Sequence, residues 1–384
     1  MVGYRLKSYT IISSRAFYAL NWFDIAPALK YINTALDLGL IRIGLVTTSF
    51  YIGLALFQLV GGSLAHRIGN LKVSFIGLTI LGTFGITSGL SSNFLELAIS
   101  RFMAGVGSAL FFSPALGIIS DIVPPEKYGS YVSIYNGAFS FGAGAGIFAF
   151  GYFDTIIGWR LSLIIGGLLL YASDIAMVIA LHGEEHRARG PLKDLAVVAK
   201  NPVVWILPVL TIGSAISETI MGQLFVYYLE RFRYVPVVTA SAIGSFFLFF
   251  GLPGGFISGM MIRKYQSKYA VTGFFIILAS IFFMIPYEYN FAEILASVAL
   301  FSVLSIYGFS YLYTVTSLVS KKAVSFSLSI VNFVQMIISA AVPYVYTYTI
   351  DSSSIYYAWY VMGIISLIPS LFILYLKINI SNNK

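Results

Sequence analysis

The sequence contains no cysteine and only 10% charged residues across its 384 positions. Without cysteine there are no disulfides and no thiol chemistry, and the redox compartment cannot be inferred. Soluble domains carry about 25% charged and roughly 45–50% apolar residues, whereas here 58% are hydrophobic. That balance does not fit an ordinary cytosolic enzyme. It also excludes disorder, which requires low hydrophobicity. No Walker-type phosphate loop is present, which argues against self-contained ATP drive. No signal-peptide cleavage pattern stands out either. Residues 1–10 lead straight into an apolar run, so the segment is expected to be retained.

What the sequence has in abundance is long apolar runs. A helix needs ~20 apolar residues to cross ~30 Å of hydrocarbon. Hydropathy places such runs near 10–30, 43–65, 73–91, 95–118, 131–153 and 160–181. A second set lies near 203–228, 238–262, 270–288, 293–317, 325–348 and 356–377. Twelve spans use about 240 residues, so no large extramembrane domain fits in the rest. Unsatisfied backbone groups are costly in lipid and nothing alternates like a barrel strand, so every span should be helical. The expected fold is an all-α integral membrane protein with twelve transmembrane helices in two pseudo-symmetric six-helix bundles. The bundles are residues 1–181 and 203–384, joined by a polar cytoplasmic linker at 182–202. The halves echo each other: Gly62 and Arg67 match Gly259 and Lys264 at a shift of 197 residues. Repeats of this kind place a solute site between the halves near the bilayer midplane.

The net charge is +8, but its basic residues sit in short clusters between apolar runs, which is not a nucleic-acid signature. With both termini on one side, that side holds 17 of the 23 basic residues, Arg5, Lys7 and Arg15 among them. The other side has five: Lys30, Arg42, Arg160, Arg231 and Arg233. Arg101 falls inside a span. The positive-inside rule puts both termini in the cytoplasm of a multi-pass plasma-membrane protein.

Several short motifs follow in order. Gly61-Gly62-Ser63-Leu64-Ala65-His66-Arg67-Ile68-Gly69-Asn70-Leu71-Lys72 joins the second and third runs. Arg101-Phe102-Met103-Ala104-Gly105-Val106-Gly107 lies in the fourth, and Pro124-Pro125-Glu126-Lys127-Tyr128-Gly129 follows it. Gly142-Ala143-Gly144-Ala145-Gly146 and Gly158-Trp159-Arg160 come next. Together they resemble the major facilitator superfamily over the whole length. Arg67, Gly69 and Lys72 fit that family's loop between helices two and three. His66 stands where aspartate is usual, Asn70 where arginine often stands, and Tyr128 also replaces an arginine. The glycine-rich fifth run lacks the proline typical of the family's antiporters.

Physics gives these residues work of their own. A basic loop of Gly62, His66, Arg67, Gly69 and Lys72 can dock on helix C-termini and carboxylates as a cytoplasmic latch. Alternatively, Arg67 and Lys72 simply anchor the helix at the headgroups. His66 in place of aspartate removes a fixed negative charge or adds pH sensitivity. The Gly142–Gly146 run superficially offers a nucleotide fingerprint, yet it lies mid-span, where close helix packing is its expected role.

Charges at bilayer depth are functional candidates, since each costs at least ~2.5–3.5 kcal/mol on insertion scales. Asp24 lies roughly 21 Å from the cytoplasmic edge and Arg101 roughly 9 Å from the outer one, so their depths coincide in a ~30 Å core. The resemblance puts both helices beside the cavity. Glu218 sits at similar depth on the seventh run and corresponds, under the repeat, to Asn21. Desolvation and a nearby arginine act oppositely on a carboxylate, so rearranging Asp24, Glu218 and Arg101 could load and release a proton. Arg101 could instead serve structure or hold an anionic group, and Asp24 could be its static partner. Glu218 could lie toward water, and Asp174 is expected at the interface.

Uncharged candidates for the cavity are Asn21, Gln223, Tyr227, Tyr307, Tyr311, Asn332 and Gln335; the spacing of four aims Gln223 with Tyr227 and Tyr307 with Tyr311. The His182-Gly183-Glu184-Glu185-His186 run fits a zinc-protease pattern, but only His66 remains to complete it and no domain surrounds it. A solvated linker is expected there, with no metal, no cofactor and no enzyme activity. The function implied is secondary active transport of a small organic solute by alternating access, with proton coupling, as a monomer in the lipid bilayer. The rivals are a drug-like solute effluxer, an uncoupled facilitator and a nontransporting membrane sensor or scaffold.

Overall fold

The computed structural model describes residues 3–182, 199–264, 267–319 and 324–375, and all regular structure among them is helical. Helices α1 (Tyr4–Phe23) and α2 (Ile25–Leu36) precede α3 (Gly39–Ile68), α4 (Asn70–Leu90), α5 (Phe94–Ile122), α6 (Pro125–Ile156) and α7 (Trp159–Ala180). Then come α8 (Pro202–Leu210), α9 (Ile212–Thr219), a π-helical turn (Ile220–Leu224) and α10 (Phe225–Phe232). The chain continues through α11 (Val237–Phe249), α12 (Gly251–Lys264), α13 (Lys268–Met284), α14 (Phe291–Val319), α15 (Val324–Ser352) and α16 (Ile355–Leu371). Most of the expected linker at 182–202, including its His-Gly-Glu-Glu-His run beyond His182, lies outside the described residues, as does the side chain of His66.

The twelve-span expectation is corrected. Among the described residues, nine helices are long and apolar enough to cross a membrane, or ten if α8 and the bent stretch after it count as one span. Hydropathy alone overcounts because it ignores breaks and polar content. The run at 10–30 is split between α1 and α2, and α1 carries Arg5, Lys7, Arg15 and several hydroxyls. Helix α6 is 32 residues long but is diluted by glycine, serine, tyrosine, Asn136 and Asp154.

The breaks have local causes. Pro27 has no N–H for the carbonyl of Phe23, and its ring crowds that carbonyl, so the helix yields at Asp24. Pro208 lies within α8, and the 50° bend to the next segment follows at Thr211. Other helix ends are satisfied by side chains. Asn93 accepts from the Glu96 backbone N–H at 3.0 Å while the Glu96 carboxylate accepts from the Ser92 N–H at 2.8 Å, a reciprocal cap for α5. Arg160 donates to the carbonyls of Gly89 and Ser91 at 3.1 and 2.6 Å, closing the end of α4.

Glycine lets the helices approach. A Cβ on Gly105 would stand 2.0 Å from the Phe50 carbonyl oxygen, and one on Gly107 would stand 2.5 Å from the Leu81 nitrogen, so α5 is wedged between α3 and α4. On α6, Gly142 and Gly146 face the Ala16 and Leu20 carbonyls of α1, while Gly144 faces Phe249 of α11. This is packing through small residues, the role the sequence gives the run.

Between α3 and α4, Gly69 has φ +97° and ψ 149°, a region open essentially to glycine alone. Gly69→Ala should therefore lower stability by ~1–3 kcal/mol. Gly62 is the contrast. It is helical, and a Cβ there meets nothing within 4 Å, so Gly62→Ala should stabilise by ~0.5–1 kcal/mol. Thermal melts of the two purified variants check the opposite signs; shifts of the same sign would contradict the backbone argument.

Candidate functional site

The helix break at Asp24 organises a buried polar junction. Asp24 is buried and its Oδ2 accepts from Asn21 Nδ2 at 2.9 Å, while Oδ1 has no partner. The preceding turn leaves the Trp22 carbonyl available. Arg101 of α5 donates to it from Nη2 at 3.4 Å, and Gln223 of the π-helical turn donates to it from Nε2 at 3.3 Å. One backbone oxygen thus gathers side chains from two distant parts of the chain. Arg101 is fully buried, its guanidinium lies 4.7 Å from the Phe50 ring centre, and its charge and that of Asp24 act on each other. Asn21, Asp24, Arg101 and Gln223 therefore belong to one cluster.

Glu218 lies close by. Every residue from Thr211 to Glu230 is buried except Glu218, which keeps partial access. Because its helix is enclosed on all sides by protein, that access points to an internal space. Its charge reaches Tyr18 of α1, Tyr51 of α3 and Tyr313 of α14. Tyr51 feels Arg101 as well, so it lies near both charged groups. The π-helical turn that follows Glu218 inserts an extra residue and re-aims Gln223, a distortion often found at functional positions.

The other candidates are dispersed. Tyr227 accepts from Asn33 Nδ2 at 3.3 Å, and Lys30 approaches Glu230 at 3.8 Å, so both contacts tie α2 to α10 at one end of the molecule. Tyr307 and Tyr311 lie in an apolar cluster with Val204, Leu207 and Phe275. Asn332 accepts from the Tyr313 hydroxyl at 2.9 Å. Gln335 is fully buried with neither amide atom partnered. Arg67 and Lys72 are exposed at the α3–α4 turn.

Three placements depart from the sequence reading. Asp174 is buried rather than interfacial and accepts from Thr79 at 2.8 Å, because α7 packs that face on α4. Arg15 does not belong with a solvated basic cluster. It is buried mid-helix, with four aromatic rings around its guanidinium at 4.4–5.1 Å. Asp154, not singled out from the sequence, is buried with both carboxylate oxygens unpartnered and acts on Asp24. The signal available for both was a charge flanked by apolar and aromatic residues.

Among solved structures, the fold is similar to a bacterial homolog of the human lysosomal transporter Spinster. Its inward-facing, unoccupied form superposes with a TM-score of 0.78 at 16% identity, covering 96% of each chain. The occupied form gives a TM-score of 0.73 at 17% identity, covering 96% of this chain and 95% of that one. In sequence, the chain is 30% identical over 117 residues to a probable sphingolipid transporter, spinster homolog 1, of Arabidopsis thaliana, covering 30% of this chain and 24% of the relative. It is 24% identical over 243 residues to the quinolone resistance protein NorA of Staphylococcus aureus, covering 60% and 58%. It is 28% identical over 159 residues to the 4-hydroxybenzoate transporter PcaK of Pseudomonas aeruginosa, covering 41% and 34%. These matches span from about a quarter to somewhat over half of the relatives' own length. The family model described as Major Facilitator Superfamily matches residues 11–343, and the chain belongs to that superfamily of multi-pass secondary transporters.

Proposed function

We propose that the chain carries a small organic solute across the plasma membrane by alternating access, coupled to protons through Asp24, Glu218 and Arg101. In this reading residues 1–181 and 203–384 are the two moving halves, 182–202 joins them, and both termini are cytoplasmic. The observation that carries it is the shared Trp22 carbonyl, which holds Arg101 and Gln223 against a broken helix beside an incompletely bonded carboxylate. A junction of weak hydrogen bonds between the halves can be remade as they rock, whereas an apolar core cannot expose a charge at low cost. Gly62, His66, Arg67, Gly69 and Lys72 form the cytoplasmic gate loop in this reading. Asn332, Gln335, Tyr227, Tyr307 and Tyr311 remain candidates for the solute path.

A second reading, efflux of a drug-like solute, is favoured by the half-buried Glu218 among aromatic side chains and by the longer alignment with NorA. Flux into proteoliposomes separates the possibilities, using 4-hydroxybenzoate and a quinolone as test solutes. A pH gradient of one unit supports ~10-fold accumulation per coupled proton. Wild-type protein should show that response for one of the two solutes. Asp24→Asn should lose it while exchange of solute at equal concentration persists. Flux indifferent to the gradient would identify an uncoupled facilitator. Failure to move any solute of a broad set would favour a sensor or scaffold.

A further inference from the structure

Arg15 is a charge the transport reading does not use. It sits eleven residues after Tyr4, roughly 16 Å along α1, and is 5% exposed. Its guanidinium carbon lies 4.6 Å from the ring centre of Tyr18 on its own helix, 4.7 Å from Phe112 of α5, and 5.1 and 4.4 Å from Tyr135 and Phe139 of α6. The Tyr135 hydroxyl donates to the Phe112 carbonyl at 3.1 Å, which braces two walls of this cage. Four rings hold the cation by its faces, and cation–π attraction strengthens when water is excluded. The ring faces accept no in-plane hydrogen bond, and although the Tyr18 hydroxyl interacts with the guanidinium, Nε and Nη1 have no partner. A buried guanidinium with free edge donors lacks the acceptor its geometry is built for.

The group placed to compensate it comes from the distant part of the chain. Among the described residues, Arg15 is the one formal charge acting on Glu218. The titratable groups around that carboxylate are otherwise hydroxyls: Tyr18 of α1, Tyr51 of α3 and Tyr313 of α14. Tyr313 also feels Arg15, so cation, carboxylate and phenol share one space. Glu218 and Tyr313 both keep partial exposure, whereas Arg15 is buried.

The geometry points to Arg15 as the receptor for the anionic group of the solute, with Glu218 as the counterion that the solute replaces. The ligand class is an organic monoanion, carboxylate or sulfonate, with an aromatic or apolar body that packs on the ring walls. This rests on the transport reading and deepens it. Glu218 and the solute anion are alternative partners for one guanidinium. When the anion arrives, Glu218 loses its cation and takes a proton from water onto its carboxylate. Net charge in the space is then conserved, and one proton enters with each anion. The pair is distinct from Asp24 and Arg101, whose charges act on each other.

The test is binding to the detergent-purified full chain between pH 5.5 and 7.5. The probes are 4-hydroxybenzoate, octanoate and benzenesulfonate, with 4-hydroxybenzamide as the uncharged control. Benzenesulfonate stays ionised throughout, so its pH dependence belongs to the protein. Uptake of one proton per anion makes the apparent Kd rise with pH, by up to ~10-fold per unit. We expect at least one anion to bind with that slope, and the amide not to bind. Glu218→Gln should bind the same anion with no slope, and Arg15→Gln should lose binding at least tenfold. Glu218→Gln disturbs no ring contact, so it supplies the readout if Arg15 variants do not fold. Failure of all three anions to bind, binding unaffected by Arg15→Gln, or a slope that survives Glu218→Gln would each overturn the proposal. Quinolone flux that persists in Arg15→Gln would overturn it while leaving transport itself intact.

Discussion

Arg101→Gln should destabilise the protein by ~3–5 kcal/mol, more than its hydrogen bond alone would cost. Three contacts disappear with the guanidinium. The bond to the Trp22 carbonyl is long at 3.4 Å, and a bond from a charged donor is worth ~1.5–3 kcal/mol at best. The contact with Phe50 adds up to ~2 kcal/mol. The third effect decides the outcome: Asp24 is left buried, with Oδ1 unpartnered and no facing cation. Removing one member of a buried pair is worse than removing both, because the survivor's desolvation is uncompensated. The double variant Asp24→Asn with Arg101→Gln should therefore melt well above Arg101→Gln alone. The defect of the single variant should also shrink as pH falls, since a protonated Asp24 needs no cation. Melting curves across pH 5–8 read both effects. Additive losses in the double variant would show that the two charges are not coupled.

The same residues show how far the sequence could be read. Asp24, Arg101 and Glu218 were legible because a charge inside an apolar run is costly and therefore conspicuous. The motif glycines were legible too, since Gly142 and Gly146 point to a close helix contact whatever the partner. The breaks were harder to see. Pro27 announces one four residues after Phe23, but apolar counting treats proline as neutral and runs through Asp24. That habit accounts for the expected span at 10–30, and the polar dilution of α6 for the one at 131–153, which leaves nine or ten of the twelve among the described residues. Arg15 was lost for a different reason. Counting basic residues by side assigns each cation to the nearest loop, and only packing reveals that its rings come from α5 and α6 as well as α1. Tyr307 and Tyr311 show the limit of helical spacing, which aligns two side chains but says nothing about what they face.

Gly142→Val should be strongly damaging although it lies outside the charged junction. A Cβ there would stand 2.0 Å from the Ala16 carbonyl oxygen and 2.7 Å from its carbon, both backbone atoms that cannot rotate away. Helix α1 would have to move off α6, and one turn along, Gly146 meets the Leu20 carbonyl in the same way. On this stretch of α1 Ala16 adjoins Arg15, and Leu20 leads into Asn21 and Trp22. Displacing it withdraws the cage around Arg15 and the carbonyl shared by Arg101 and Gln223. Overpacking alone costs ~1–3 kcal/mol, and lost hydrogen bonds in the junction add to that. Gly144→Val is the internal control, because its Cβ would meet the Phe249 ring at 2.9 Å, a side chain that can turn. The expected order of melting temperature is wild type, then Gly144→Val, then Gly142→Val, with solute binding lost only in the last. Equal damage at both positions would mean that the α1–α6 contact is no tighter than the α6–α11 contact. The close approach of α1 would then not be what holds the junction in place.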